Sequence, residues 1–148
     1  MSFISTKTYN HNIGLSCAFR QWRAKHSHCK YMHGYALSVR INFKGQLNDR
    51  NWVYDFGDLK FVKEFLQETF DHKTVIAEDD PELETFKELD EKGLIQLRVI
   101  PHVGCEKFAE YICKMIAPQI VVNSNERVKL MSVEVREHSG NSAIYIND

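Results

Sequence analysis

Residues 35–43 read "YALSVRINF", and the alternation in this stretch decides the fold. Tyr35, Leu37, Val39, Ile41 and Phe43 share one face, the period-two pattern of a half-buried strand. Upstream, "LSCAFRQW" (15–22) reads as a short strand, and a polar loop joins the two. Downstream, "KGQLNDRN" (44–51) supplies the turn residues Gly45, Asn48, Asp49 and Asn51. "WVYDFGD" (52–58) then leads into a helix that Asp55 or Asp58 can cap. Leu59, Val62, Phe65, Leu66 and Phe70 recur at three- and four-residue spacing, which predicts one apolar helical stripe ending near Thr69.

Farther along, "DHKTVIAEDDPELETFKELDEKG" (71–93) reads as a charged loop and a short surface helix closed by Gly93. "LIQLRVIPH" (94–102) alternates as a short strand. Phe108, Ala109, Ile112, Met115 and Ile116 predict a second long helix over 105–116, with Glu106 in the first turn, where the helix dipole favours an anion. "RVKLMSVEVREH" (127–138) and "NSAIYIND" (141–148) read as closing strands. Strands at both ends with helices between them predict an α+β fold, an antiparallel sheet with helices on one face. No repeat or linker divides the chain, so residues 1–148 are expected to form a single domain.

Composition narrows the function classes. The formal charge of −1 over 148 residues gives no global field toward a nucleic-acid backbone or an anionic membrane. Residues 1–15 lack the basic and apolar regions of a signal peptide, and no apolar run reaches membrane-spanning length. The expectation is a cytoplasmic protein with neither nucleic acid nor membrane as partner. The four cysteines form no CxxC pair and are read as reduced thiols, with Cys113 part of an apolar helical pattern. Cys29 differs, because Lys25, His26, His28, Lys30 and His33 surround it in sequence, and positive neighbours make a thiol more acidic and reactive.

Two further carboxylate motifs stand out. Asp71 beside His72 either holds an imidazole in a working tautomer for acid–base chemistry or is a helix-end histidine at the dipole. Glu137 follows Val133 and Val135 on one strand face, so it either meets a donor-rich partner or turns to solvent at the strand end.

Taken in order, Cys29-x3-His33-Gly34, Asp55-Phe56-x2-Leu59-Lys60, Asp71-His72, Glu106 opening a helix and Glu137 before a closing strand with Tyr145 resemble one family. It is the 6-pyruvoyl-tetrahydropterin synthase and 6-carboxy-tetrahydropterin synthase family, and the resemblance spans nearly the whole chain. It implies a tunnelling fold (T-fold), a four-stranded antiparallel sheet with two helices on one face, whose copies form a homo-oligomeric barrel with sites between subunits. It also implies Cys29, Asp71 and His72 as catalytic residues, Glu106 and Glu137 as the pterin-binding pair, and a divalent metal, zinc first, with Fe2+ or Mn2+ as alternatives.

Where the family places three zinc histidines, this chain has Phe19 and Tyr35 at two positions and keeps His33. Three outcomes follow: the metal is gone, Tyr35 supplies an oxygen ligand, or loop histidines take over. The last makes His28 and His33 ligands, with His26 or Tyr35 as the third. The implied activity is 6-carboxy-5,6,7,8-tetrahydropterin synthesis from 7,8-dihydroneopterin triphosphate, in 7-deazaguanine and queuosine biosynthesis. The alternatives are 6-pyruvoyl-tetrahydropterin synthesis and a non-catalytic pterin-binding paralogue. Arg20, Arg23, Lys25 and Lys30 are the cations that a triphosphate would meet near the loop.

Overall fold

The alternating stretch becomes the middle of β3 (His33–Gly45), the strand on which the whole sheet is built. All 148 residues are described by the computed structural model. β1 (Phe3–Tyr9) and β2 (Leu15–Phe19) follow each other along one side of β3, both antiparallel, with Tyr9 opposite Val39 and Leu15 opposite Leu37. β6 (Val128–His138) runs antiparallel along the other side, and β7 (Asn141–Ile146) pairs with it. β4 (Lys73–Ala77) adds in parallel to β2, and β5 (Leu97–Ile100) adds in parallel to β4.

The expected four antiparallel strands are thus present as β1, β3, β6 and β7, but the full sheet has seven. Three helices accompany it rather than two: α1 (Lys60–Phe70), α2 (Leu83–Glu91) and α3 (Cys105–Asn123). β4 falls within the predicted charged loop, because "KTVIA" has no alternation to betray it. Every residue of β4 is buried, as befits a strand enclosed between parallel neighbours. β1 likewise lies in a stretch whose polar composition hid it.

Other boundaries move for local reasons. The Asp55 carboxylate accepts the Gly57 N–H (2.8 Å) and caps a 3-10 turn at Phe56–Asp58, so α1 begins one step later, at Lys60. α3 runs on to Asn123 through Pro118, past the expected end at Ile116. Proline removes one helical donor, but Ile116 and Ile120 are both buried and hold the second half of the helix against the core. In β6 a bulge leaves Met131 without an opposite residue, since Phe43 faces Leu130 and Asn42 faces Ser132. The extra residue changes the phase of alternation, so Val128 and Leu130 before it and Val133 and Val135 after it all enter the core.

One apolar cluster fills the space between helices and sheet. At its centre Phe108 of α3 meets Phe19 and Phe70 edge-on, with ring centroids 4.9 and 5.1 Å apart. Phe19 is thereby both a core residue and the floor of the adjoining cavity. No helix is long and apolar enough to cross a membrane.

Candidate functional site

Where β2 ends and β3 begins, beside the start of α3, the chain leaves a cavity of about 420 Å³. Cys29, His33, Tyr35, Glu106 and Glu137 line it, over Phe19. Each reaches it by a separate route. The alternation of β3 puts His33 and Tyr35 on the core-facing side at the strand's open end. Cys29 arrives on a 3-10 turn, His28–Lys30, whose start is tied by the Cys29 N–H donating to Ser27 Oγ (3.2 Å). The Gln21 N–H donates to the Cys29 carbonyl (2.7 Å), anchoring that turn to the end of β2.

Glu106 comes from the first turn of α3, as its position in the sequence predicts. Gly104 makes that entry possible: its φ is +107°, and a Cβ there would sit 2.2 Å from Gln21 Nε2. Glu137 lies near the end of β6, its Oε1 accepting the Asn141 side-chain N–H (3.2 Å), and no cation pairs with it. Of the two readings open for Glu137, the structure places it in the cavity lining, where its partners are an amide and a thiol.

That thiol is Cys105, which the sequence reading did not select. Its Sγ lies 3.9 Å from Glu137 Oε2 as a hydrogen-bond donor. Burial, followed by the Glu137 and Glu106 carboxylates, pushes the thiol up to about 12, so it stays protonated at neutral pH. The available clue was its place directly before Glu106 at a helix start. Cys17 and Cys113 are also buried, with thiols pushed up by burial to about 12 and about 11, whereas Cys29 is exposed. Iodoacetamide near pH 8 is accordingly expected to modify Cys29 alone, read by intact mass and peptide mapping. Modification of Cys17, Cys105 or Cys113 in folded protein at a comparable rate would contradict this arrangement.

His33 and Tyr35 form a bonded pair. The carbonyl of Tyr31 lies 2.7 Å from His33 Nδ1, and Tyr35 Oη lies 2.8 Å from Nε2. The Tyr35 phenol is raised, first by burial and then by the neighbouring Glu137, Cys29 and Cys105. Phe19 stands beside both rings, at 6.1 and 5.7 Å between centroids.

The metal expectation meets a donor set that does not fit it. Phe19 offers carbon where the family has an imidazole, and no three His, Cys, Asp or Glu side chains are gathered around a common point. His28 does not line the cavity of His33; with His26, Lys30 and Tyr31 it lines a separate surface hollow. The pairing of His28 with His33 as ligands is therefore not assembled within the chain, because the 3-10 turn carries Cys29 to the cavity and His28 to the hollow.

Asp71 and His72 also stand apart from the cavity. His72 Nδ1 is 2.8 Å from Asp71 Oδ1, so the pair is joined, and His72 adopts a left-handed φ of +58° unusual for a non-glycine residue. The His72 N–H donates to the Ser16 carbonyl (2.6 Å) near the start of β2, whereas the cavity opens beyond Phe19 at its end. Three residues of strand, about 10 Å, separate those points.

Of the four basic residues read as triphosphate contacts, two are already engaged. Arg20 clasps Asp80 through Nε (2.8 Å) and Nη2 (2.5 Å), and Arg23 pairs with Asp79 (2.6 Å).

The family described as 6-pyruvoyl tetrahydropterin synthase matches residues 9–148. A Pyrococcus abyssi protein provisionally named 6-carboxy-5,6,7,8-tetrahydropterin synthase is 31% identical over 116 residues, 75% of this chain and 71% of its own. One from Archaeoglobus fulgidus with the same provisional name is 32% identical over 107 residues, covering 66% and 92% of the two chains. Among solved structures, an uncharacterized protein of Wolinella succinogenes superposes with a TM-score of 0.85 at 20% identity, over 100% of this chain and 99% of that one. The 6-pyruvoyl tetrahydropterin synthase of Plasmodium falciparum gives 0.69 at 18% identity, over 97% and 96%. At those identities the structures speak for the T-fold.

Proposed function

The chain belongs to the 6-pyruvoyl tetrahydropterin synthase family, and from that premise we propose that it is a 6-carboxy-5,6,7,8-tetrahydropterin synthase acting on 7,8-dihydroneopterin triphosphate. The observation that carries this reading is the meeting of Cys29 with Glu106 and Glu137 in one cavity, from three distant parts of the chain. Two carboxylates facing a cavity without a cation suit the paired N–H donors on the edge of a pterin. Cys29 is the only exposed cysteine, and as its thiolate it serves as the base that takes a proton from the side-chain carbon next to the ring, becoming the thiol.

His72, held by Asp71, is the acid or base on the opposite side of the substrate. Because that pair lies away from its own chain's cavity, it reaches the cavity of a neighbouring copy, and the working form is a homo-oligomer with sites between subunits. Loss of triphosphate and cleavage of the side chain with one water then release acetaldehyde. The zinc, iron or manganese ion implied by the resemblance finds no fitting donor set here and enters no step. A cytoplasmic place in queuosine biosynthesis belongs to the same reading.

Incubation with 7,8-dihydroneopterin triphosphate, with products read by mass, tests the proposal. Release of 6-carboxy-5,6,7,8-tetrahydropterin and acetaldehyde is expected. Accumulation of 6-pyruvoyl-tetrahydropterin would reassign the product, and unchanged substrate bound tightly would reduce the protein to a pterin-binding module. Mixing Cys29→Ala and His72→Ala chains is expected to restore some activity, since some sites then hold both native groups. Failure to do so would remove the shared-site part of the proposal.

A further inference from the structure

We propose that the Tyr35 hydroxyl, set by His33, binds a side-chain hydroxyl of the pterin directly, in the position where the family resemblance implies a metal ion. This rests on the pterin reading above and assigns the part of the ligand that Glu106 and Glu137 leave unclaimed.

For a neutral His33 ring the hydrogen bonds allow one arrangement. A carbonyl oxygen can only accept, so His33 Nδ1 carries the proton that it shares with Tyr31, 2.7 Å away. In the neutral ring Nε2 is then an acceptor, and Tyr35 O–H donates to it at 2.8 Å. With its proton committed to His33, Tyr35 Oη presents its lone pairs to the cavity, ready to accept from a hydroxyl donor. The Phe19 ring beside both residues offers no lone pair to an ion and closes the floor beneath them.

The same carbonyl–imidazole contact is how many proteins aim a histidine at a metal. Here the aimed lone pair ends on a phenol. The exchange replaces a positively charged anchor by a neutral acceptor, which distinguishes ligands by whether they carry a hydroxyl at that point. A ligand lacking it gives the Tyr35 Oη lone pairs no donor from the ligand, while the hydroxyl keeps its bond to His33.

The test measures binding rather than turnover. Full-length protein treated with a chelator and dialysed is titrated calorimetrically with 7,8-dihydroneopterin, whose side chain carries hydroxyls, and with 6-methyl-7,8-dihydropterin, which has none. Metal-free wild type is expected to prefer the hydroxylated ligand by about two- to tenfold. Tyr35→Phe is expected to lose that preference while binding the methyl compound as before, and added zinc, iron or manganese is expected to change neither result. A preference that survives in Tyr35→Phe, or that arises only when a metal is added, would overturn the proposal and leave the pterin reading standing. Failure of wild type to bind either compound would overturn both. Circular dichroism and thermal melting of Tyr35→Phe confirm that the comparison is made on folded protein.

Discussion

Cys29→Ala is expected to lower kcat by about 10²- to 10⁴-fold, the usual contribution of a positioned proton acceptor. Pterin affinity is expected to stay close to that of wild type, because the two carboxylates proposed to grip the ring, Glu106 and Glu137, come from α3 and β6 and owe nothing to the thiol. The substitution is also structurally mild, since Cys29 is exposed and its turn is held by backbone bonds and by Ser27. Steady-state turnover combined with direct binding of dihydroneopterin separates the two effects. A variant that turns over normally would exclude Cys29 as the base, and one that loses pterin binding in parallel would make its role structural.

Arg20→Ala is expected to cost about 3–5 kcal/mol, the usual penalty for leaving a buried charge without its partner. Asp80 is that charge: its side chain is 1% exposed and is met by two bonds from Arg20 and by the Glu82 N–H (2.8 Å). For a chain of this length the loss corresponds to a fall in Tm of roughly 6–20 °C. Burial alone would raise the Asp80 carboxyl, but the Arg20 and Glu82 bonds outweigh it and hold the group below its ordinary value.

A carboxyl depressed by folding adds stability above its unfolded value of about 3.9, and that stability is lost as pH falls through the lower folded value. The gap between wild type and Arg20→Ala in urea melts should therefore be full at about pH 6 and shrink at about pH 3. An equal gap at both would show that lost packing against Phe86, 6.0 Å from the guanidinium, accounts for the effect instead of charge.

What the sequence disclosed, and what it hid, follows from the range of each interaction. Alternation exposed β3, and helical spacing exposed α1 and α3, because each pattern is local and repeats several times. β4 has five buried residues and no polar face, so its neighbours and not its own pattern make it a strand. The bulge at Met131 depends on pairing with β3, nearly ninety positions away, and no local count reveals it. In the cavity, Cys29, His33, Glu106 and Glu137 were legible through their order along the chain, and they do meet. Nearness in sequence groups His28 with His33 as a loop histidine, yet direction matters more than distance, since successive side chains of a 3-10 turn point different ways. Cys105 carries no such signal, since its meeting with Glu137 joins the start of α3 to the end of β6, thirty-two positions apart.

The length of β3 has a consequence for how the molecule comes apart. Its first five residues belong to β2, and through β2 to the parallel layer of β4 and β5, while its last seven carry β1, with β6 paired along the same stretch. Neither half can detach without breaking the strand they share, so heating should melt them in one cooperative step. In deuterium exchange the amides of Leu37 to Ile41 should be the last to yield.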